Sequence, residues 1–315
     1  MNNLKIIFFG TPSFAVGILD AIINHNFEVV AVVTVADKPA GRGQQLRFSA
    51  VKEFAIAKNL PILQPTNLKD EVFLEKLKSF QANMQIVVAF RMLPQAVWQM
   101  PEFGTFNLHA SLLPDYRGAA PINWAIINGD VKTGVTTFFI DDKIDTGEII
   151  ISKKTDITTT ETAGDLHDKL MVLGAETVIE TLKLIKQGNV QTTVQSQQDD
   201  CRTANKLFKE NCKIDWAKFG LSIYNHVRGL NPYPLAWTNI IDGDKRFSIK
   251  IERVVFQNER HELQVGSVIT DKKTIKIAVV DGFIIVERLQ FPGKKMMEAS
   301  ALLNGISFSN AAITD

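Results

Sequence analysis

The stretch LKIIFFGTPSFAVGILDAIIN (Leu4–Asn24), with EVVAVVTV (Glu28–Val35) close behind it, decides the fold. Leu4–Phe9 is a short apolar run of strand length. It ends in the turn Gly10-Thr11-Pro12-Ser13, which opens a helix over about Phe14–Asn24. Pro12 suits the first turn of a helix and Ser13 suits its cap. Glu28–Val35 is apolar and β-branched, a second strand.

Working outward, the alternation continues. Ser49–Asn59 reads as a helix, Pro61–Leu63 as a short strand, Asp70–Ser79 as a helix and Met84–Ala89 as a buried strand. This order implies an α/β fold: a mostly parallel, doubly wound, Rossmann-like sheet with helices on both faces. Such sheets bind ligands beyond the carboxyl ends of their strands. Phe103–His109 and Gly134–Ile140 extend the strand series, and Ala163–Lys186 is a long amphipathic helix ended by Gly188. The polar stretch Asn189–Asp200 reads as a linker.

The pattern then changes. Ile214–Gly229 can hold one helix. Phe247–Phe256, Leu263–Ile269, Thr274–Val280 and Phe283–Leu289 read as alternating strands, with turns at Asp242-Gly243-Asp244 and Asp281-Gly282. A C-terminal all-β, OB-like barrel domain is expected. The boundaries are an α/β domain over 1–188, a linker over 189–205 and the β domain over 206–315. A length of 315 residues fits two domains.

Composition is that of a globular chain, 45% apolar and 22% charged. No apolar window is long enough for a membrane span, and Met1–Lys5 lacks a signal-peptide pattern. Two cysteines, Cys201 and Cys212, suit free thiols in a reducing cytoplasm. A monomer is expected. Net charge is +1, but residues 206–315 hold 16 basic and 12 acidic residues, a net of +4, against −3 for the rest. That split suits a polyanionic partner, although scattered surface charge would give it too.

The chemistry concentrates in FGTFNLHASLLPDYRGAAP (Phe103–Pro121). Strand alternation puts Asn107 and His109 on one side. The ladder must break near Leu113-Pro114, so both side chains sit at a strand's carboxyl end. A second exit loop, Ile140-Asp141-Asp142-Lys143-Ile144-Asp145-Thr146-Gly147, carries three carboxylates. Taken singly, His109 could be a satisfied core histidine and each Asp part of a solvated turn. Together they suit acyl transfer to an amine. Asn107 can donate to the developing oxyanion. His109 can donate as well when protonated. Asp145 can hold His109 and take the amine's proton, directly or through water.

The string Asn107-Leu108-His109-Ala110-Ser111-Leu112-Leu113-Pro114 resembles the signature of the folate-dependent formyltransferases, and Asp145-Thr146-Gly147 resembles their acidic segment. Arg228-Gly229-Leu230-Asn231-Pro232, Ala236-Trp237-Thr238 and Phe291–Met296 extend the resemblance to the methionyl-tRNA formyltransferase family within them. That resemblance implies 10-formyltetrahydrofolate as formyl donor and initiator methionyl-tRNA as acceptor; no metal is expected, since the His and Cys residues do not stand at metal-ligand spacing. It implies Asn107, His109 and Asp145 as catalytic residues. It places a folate pocket at Phe90, Arg91, Met92, Leu93, Ser111, Leu112, Leu113, Pro114, Asp141 and Asp142. Arg91 stands where those tRNA enzymes commonly have Gly, and Phe90–Leu93 is closer to the glycinamide ribonucleotide formyltransferases; pterin contacts there are mostly backbone, so folate binding is expected to survive.

Asp37–Arg47 reads as a flexible basic loop without regular structure. Its Gly41 and Gly43 permit close approach, and Arg42 can fork onto phosphate or a base edge. The resemblance implies a wedge into the tRNA acceptor stem with an Arg at the position of Arg42, and Lys38 and Arg47 are further candidates for tRNA contact. Lys206, Lys209, Arg228, Lys245, Arg246, Lys294 and Lys295 are further candidates for phosphate contact.

No Gly-x-Gly-x-x-Gly fingerprint supports a nicotinamide enzyme, no phosphate-loop motif is present, and His and Cys lack metal-ligand spacing. Formyltransferases for sugar-nucleotide amines or glycinamide ribonucleotide remain rivals. A non-catalytic RNA-binding protein is the rival of another class, and the intact Asn107, His109 and Asp145 set argues against it.

Overall fold

A computed structural model describes residues 3–40, 45–196 and 201–315. They form two compact units that are not contiguous in sequence. One takes in the chain up to Gly118 with Lys132–Asp156 and His167–Thr203; the other holds Ala119–Val131, Ile157–Leu166 and Ala204–Asp315.

The first unit is built on a seven-stranded sheet. Its strands are β1 (Lys5–Gly10), β2 (Glu28–Val33), β5 (Ile62–Leu63), β6 (Met84–Val88), β7 (Thr105–His109), β9 (Lys132–Phe139) and β10 (Ile149–Asp156). The spatial order is β10-β9-β7-β6-β1-β2-β5. Pairs from β5 to β7 are parallel. The β7–β9 and β9–β10 pairs are antiparallel. The mostly parallel sheet expected from the sequence is therefore present, with an antiparallel edge added. Ile6, Phe8, Phe9, Met84, Ile86 and Val88 are fully buried, as continuous apolar runs in a sheet covered on both faces should be. Edge strand β10 is an addition to the strands expected from the sequence. Its outer half alternates exposed and half-buried residues and carries Lys153 and Lys154, which weakens its apolar signal and suits an edge.

The helices α1 (Ser13–Asn24), α2 (Ala50–Ala57) and α3 (Glu71–Ser79) fall where they are expected. Ser49 Oγ accepts from Lys52 N (3.1 Å) and Asp70 Oδ1 from Phe73 N (3.0 Å), capping α2 and α3. The cap of α1 is different. Pro12 is the capping residue and Ser13 is the first helical one, with no side-chain cap bond. Helix α6 (Ala163–Gln187) ends at Gly188, whose φ is +71°.

Two expectations need correction here. The Asp37–Arg47 stretch is not without regular structure: β3 (Lys38–Ala40) and β4 (Gln45–Arg47) pair antiparallel, with Lys38 opposite Arg47. Arg42 lies outside the described residues. The 189–196 part of the expected linker is docked on the first unit. Thr193 exchanges backbone hydrogen bonds with Ile149 (2.8 and 2.9 Å), and Gln195 is buried.

Two-residue strands β8 (Arg117–Gly118) and β11 (Thr203–Ala204) and short helices α4 (Gln95–Trp98) and α5 (Pro121–Ile127) precede the C-terminal elements. In the second unit, α7 (Gly220–Gly229) is shorter than expected. Ile214 N instead donates to Trp237 O (2.9 Å), a turn over 216–218 precedes the helix, and Ile214 and Trp216 join the core. Strands β12 (Ala236–Asp242), β13 (Lys245–Asn258), β14 (Val268–Thr270), β15 (Ile275–Val279), β16 (Gly282–Gln290), β17 (Met296–Glu298) and β18 (Ile313–Thr314), with helix α8 (Ala299–Leu303), complete it. The order is β14-β15-β16-β13-β12-β18. A bridge between Ser267 and Ile313 links its two ends, with Thr314 N donating to Gly266 O (2.9 Å). The result is an antiparallel, nearly closed barrel around Ile240, Ile249, Ile251, Ile275, Ile277 and Ile284, the architecture expected for this half. Closure also protects edge strands that would otherwise pair with other chains. No helix among the described residues is long and apolar enough to cross a membrane.

Candidate active site

Strand β7 delivers Asn107 and His109 to the carboxyl end of the parallel set, as its alternation predicts. Asn107 is half-buried; His109 is 7% exposed. The turn after His109 is tied down residue by residue. Buried Thr136 on β9 donates its hydroxyl to Ser111 O (2.7 Å) and accepts from Leu113 N (3.2 Å). Ser111 Oγ donates to Asp115 O (2.6 Å). The chain therefore doubles back and brings Tyr116 O to His109 Nε2 at 2.8 Å. A carbonyl can only accept, so Nε2 carries the proton in this contact. That leaves Nδ1 for chemistry.

Nδ1 faces Asp145. The distance to Asp145 Oδ2 is 3.8 Å, too long for a hydrogen bond and short enough for an ion pair. The same carboxylate oxygen accepts from Gly118 N (2.9 Å). Tyr116 O thus fixes the ring through Nε2, while Asp145 faces its other nitrogen as the ion-pair partner. Catalytic contacts are often long before substrate arrives. Asp145 has φ +56° and Tyr116 φ +61°. Such conformations cost a non-glycine residue of order 1 kcal/mol or more and persist where the surroundings hold them. Gly147 closes the Asp145 loop, and a Cβ there would lie 1.7 Å from Phe139 O.

The residues expected at the folate pocket separate into two groups. Phe90, Arg91, Met92, Asp141 and Asp142 lie on the exit loops after β6 and β9, the second of which begins at Ile140. Phe90 and Ile140 pack on one apolar cluster with Leu93, which sets the loops side by side. Met92 is 59% exposed. Asp141 accepts from Thr146 Oγ1 (2.7 Å) and Lys143 N (3.0 Å), and Asp142 is exposed. Arg91 is exposed and donates to the carbonyls of Pro65 and Thr66, a contact to the neighbouring loop and not a salt bridge. Ser111, Leu93 and Leu113 are turned inward, so their side chains serve the scaffold and only backbone is left to offer a ligand. Leu112 and Pro114 are half-buried in the same turn.

Residues that the sequence does not single out complete the arrangement. Gln195 Nε2 donates to Asp145 O (3.0 Å) and Gly147 O (2.8 Å). Its Oε1 accepts from Arg117 Nε (3.2 Å) and Nη2 (2.6 Å). Nothing in the polar run around Gln195 marks it, because its carbonyl partners lie 50 and 48 positions earlier in the chain.

The geometry and the sequence converge on one family. Residues 4–182 match the formyl transferase model, and residues 206–307 match the model for the formyl transferase C-terminal domain. The chain belongs to the formyl transferase family. Among its relatives, a protein of Flavobacterium johnsoniae named methionyl-tRNA formyltransferase is 62% identical over 99% of each chain. A protein of Flavobacterium psychrophilum with the same name is 63% identical, again over 99% of both. In fold, this formyl transferase is similar to a sugar 3N-formyl transferase solved in the presence of dTDP and 5-N-formyl-THF. The two are 22% identical with a TM-score of 0.66, covering 94% of this chain and 100% of that one.

The basic residues distribute differently from expectation at one position. Lys38 and Arg47 are exposed on the ribbon of the first unit. Lys206, Lys209, Lys245, Arg246, Lys294 and Lys295 are exposed on the second. Arg246 is paired with Asp315. Arg228 is only 7% exposed. Its guanidinium donates to Asn225 Oδ1 (2.9 Å), Thr158 O (3.3 Å) and Glu161 O (2.7 Å), so it is an internal clamp and not a phosphate contact. The second unit also carries a cleft of about 530 Å³ lined by Phe208, Lys209, Tyr233, Trp237 and Lys250, among others. Tyr233 is 83% and Phe208 56% exposed. Lys206 and Lys209 stand 5.5 and 5.0 Å over the Phe208 and Trp237 rings. Aromatic rings mixed with lysines suit contact with nucleic acid.

Proposed function

We propose that this chain transfers the formyl group of 10-formyltetrahydrofolate to the free amine of methionine on initiator methionyl-tRNA. The observation that carries this reading is the identity of 62% and 63%, across both units, with proteins named methionyl-tRNA formyltransferase. The folate in the related sugar enzyme's structure supports the class of donor.

Each residue has its share of the work. The pterin lies between the exit loops of β6 and β9, held largely by backbone. The formyl carbonyl points at Asn107, whose amide donates to the oxygen as negative charge develops. His109, oriented through Nε2 by Tyr116 O, presents Nδ1 between that oxygen and Asp145. The amine nitrogen attacks the formyl carbon. As the C–N bond forms, the amine's proton passes to Asp145, directly or through water. When the bond to the folate nitrogen breaks, that nitrogen takes a proton and leaves as tetrahydrofolate. No covalent enzyme intermediate is needed.

Recognition of the RNA is assigned to Lys38, Arg42 and Arg47 and to the lysines around the aromatic cleft of the second unit. Purified protein given the folate donor with charged initiator methionyl-tRNA, uncharged tRNA or amino-sugar nucleotides should formylate the first alone. Formyl appearing on the sugar amine and not on the tRNA would overturn the acceptor assignment. Arg42→Ala should raise KM for methionyl-tRNA by about tenfold and lower the salt slope of binding by about one, as loss of one phosphate contact does. An unchanged KM and slope would remove Arg42 from the interface.

A further inference from the structure

Residues 193–196 and 201–203 hold both halves of the reaction centre. On the Asp145 side, Gln195 donates to the carbonyls of Asp145 and Gly147, at either end of the turn that aims the carboxylate. On the His109 side, Arg202 O accepts from Tyr116 N (2.6 Å). Arg202 N and Nη2 donate to Asp115 (3.1 and 3.2 Å), and the guanidinium lies 4.5 Å over the Tyr116 ring. Tyr116 O is the atom that orients His109. Imidazole and carboxylate therefore each hang from an anchor in the same part of the chain.

The chemistry of Gln195 makes it the more informative anchor. It is 7% exposed. Its two amide hydrogens serve two carbonyls, and its oxygen takes two donors from Arg117. A primary amide is the one neutral side-chain group that donates twice and accepts twice in a plane. Glutamate would set a carboxylate against two carbonyl oxygens. The Asp145 backbone is at φ +56°, so without this staple the turn is free to relax toward ordinary backbone angles and carry the carboxylate with it.

We propose that Gln195 is a positioning residue for formyl transfer: by pinning the 145–147 turn it sets the separation of Asp145 from His109. This rests on the formyl-transfer reading of the site and adds to it a residue outside the strand exits.

The test uses the full chain with Gln195→Met, which keeps the length and loses the amide, and Gln195→Glu. Wild type runs beside them. The expected result is a kcat for methionyl-tRNA formylation lower by about 10- to 100-fold, the usual consequence of misplacing a reacting group. KM for both substrates should stay within about threefold, since neither substrate is held by Gln195. The His109 ring resonances, identified by their loss in His109→Gln, should move. Unchanged kcat and unmoved His109 ring resonances in Gln195→Met would overturn the proposal. So would a kcat loss with the His109 resonances unmoved, because the effect would then not pass through the His109–Asp145 pair. If Gln195→Met does not fold, Arg117→Met removes the donors on the other side of the amide, and the same outcomes decide. A wild-type protein inert toward methionyl-tRNA would sink the acceptor assignment instead, while the His109 ring resonances still test the staple.

Discussion

Asp145→Asn should slow formyl transfer by at least about 10²-fold, with little change in thermal stability. The substitution is informative because the structure isolates what it removes. Asparagine has the same shape and is, with aspartate, one of the residues that best tolerate positive φ, so the turn at φ +56° survives. The side-chain oxygen can still accept from Gly118 N. The ring of His109 stays in place, because its orienting bond runs to Tyr116 O. Only the negative charge and the proton acceptor, 3.8 Å from Nδ1, are lost. Single-turnover formylation with saturating folate measures the effect without interference from product release. Turnover within about threefold of wild type would take Asp145 out of the proton path.

The candidate site is legible in the sequence because its residues sit in short-range patterns. Strand alternation alone puts Asn107 and His109 on one side, and Leu113-Pro114 marks where the ladder has to stop. Parallel strands buried on both faces write themselves as unbroken apolar runs, which makes β1, β2 and β6 visible. Strands whose apolar signal is diluted escape notice. β10 carries two lysines at the sheet edge, and β17 and β18 have only three and two residues. Long-range satisfaction of backbone polar groups is invisible for a deeper reason. Gln195 serves carbonyls 48 and 50 positions away, and Arg202 serves a turn 87 positions away. Nothing local distinguishes a glutamine that staples two carbonyls from one in solvent. Composition makes the 189–196 stretch look unburied, yet hydrogen bonding and not apolar area docks it.

The same blindness explains Arg228, which leads to the second large effect. A cation in a basic domain invites assignment to phosphate. The structure instead buries it, with burial drawing its pKa below the ordinary guanidinium value. Its fork of N–H donors is spent on Asn225 Oδ1 and the carbonyls of Thr158 and Glu161. The segment 157–166 has little apolar area of its own, and two of its backbone carbonyls depend on this side chain. Arg228→Met should therefore destabilise the second unit by about 2–4 kcal/mol, the cost of stranding buried acceptors that had a charged donor. Arg228→Lys should recover only part of this, since an ammonium on a flexible stem cannot reproduce the planar fork. Equilibrium unfolding of the full chain, followed by Trp216 and Trp237 fluorescence, reads the loss. The slope of log affinity against log salt for methionyl-tRNA should be that of wild type, in contrast to Arg42→Ala, because no phosphate contact has been removed. An Arg228→Met protein with undiminished stability and a shallower salt slope would return the residue to the RNA face, and would end the reading of 157–166 as a segment held from within.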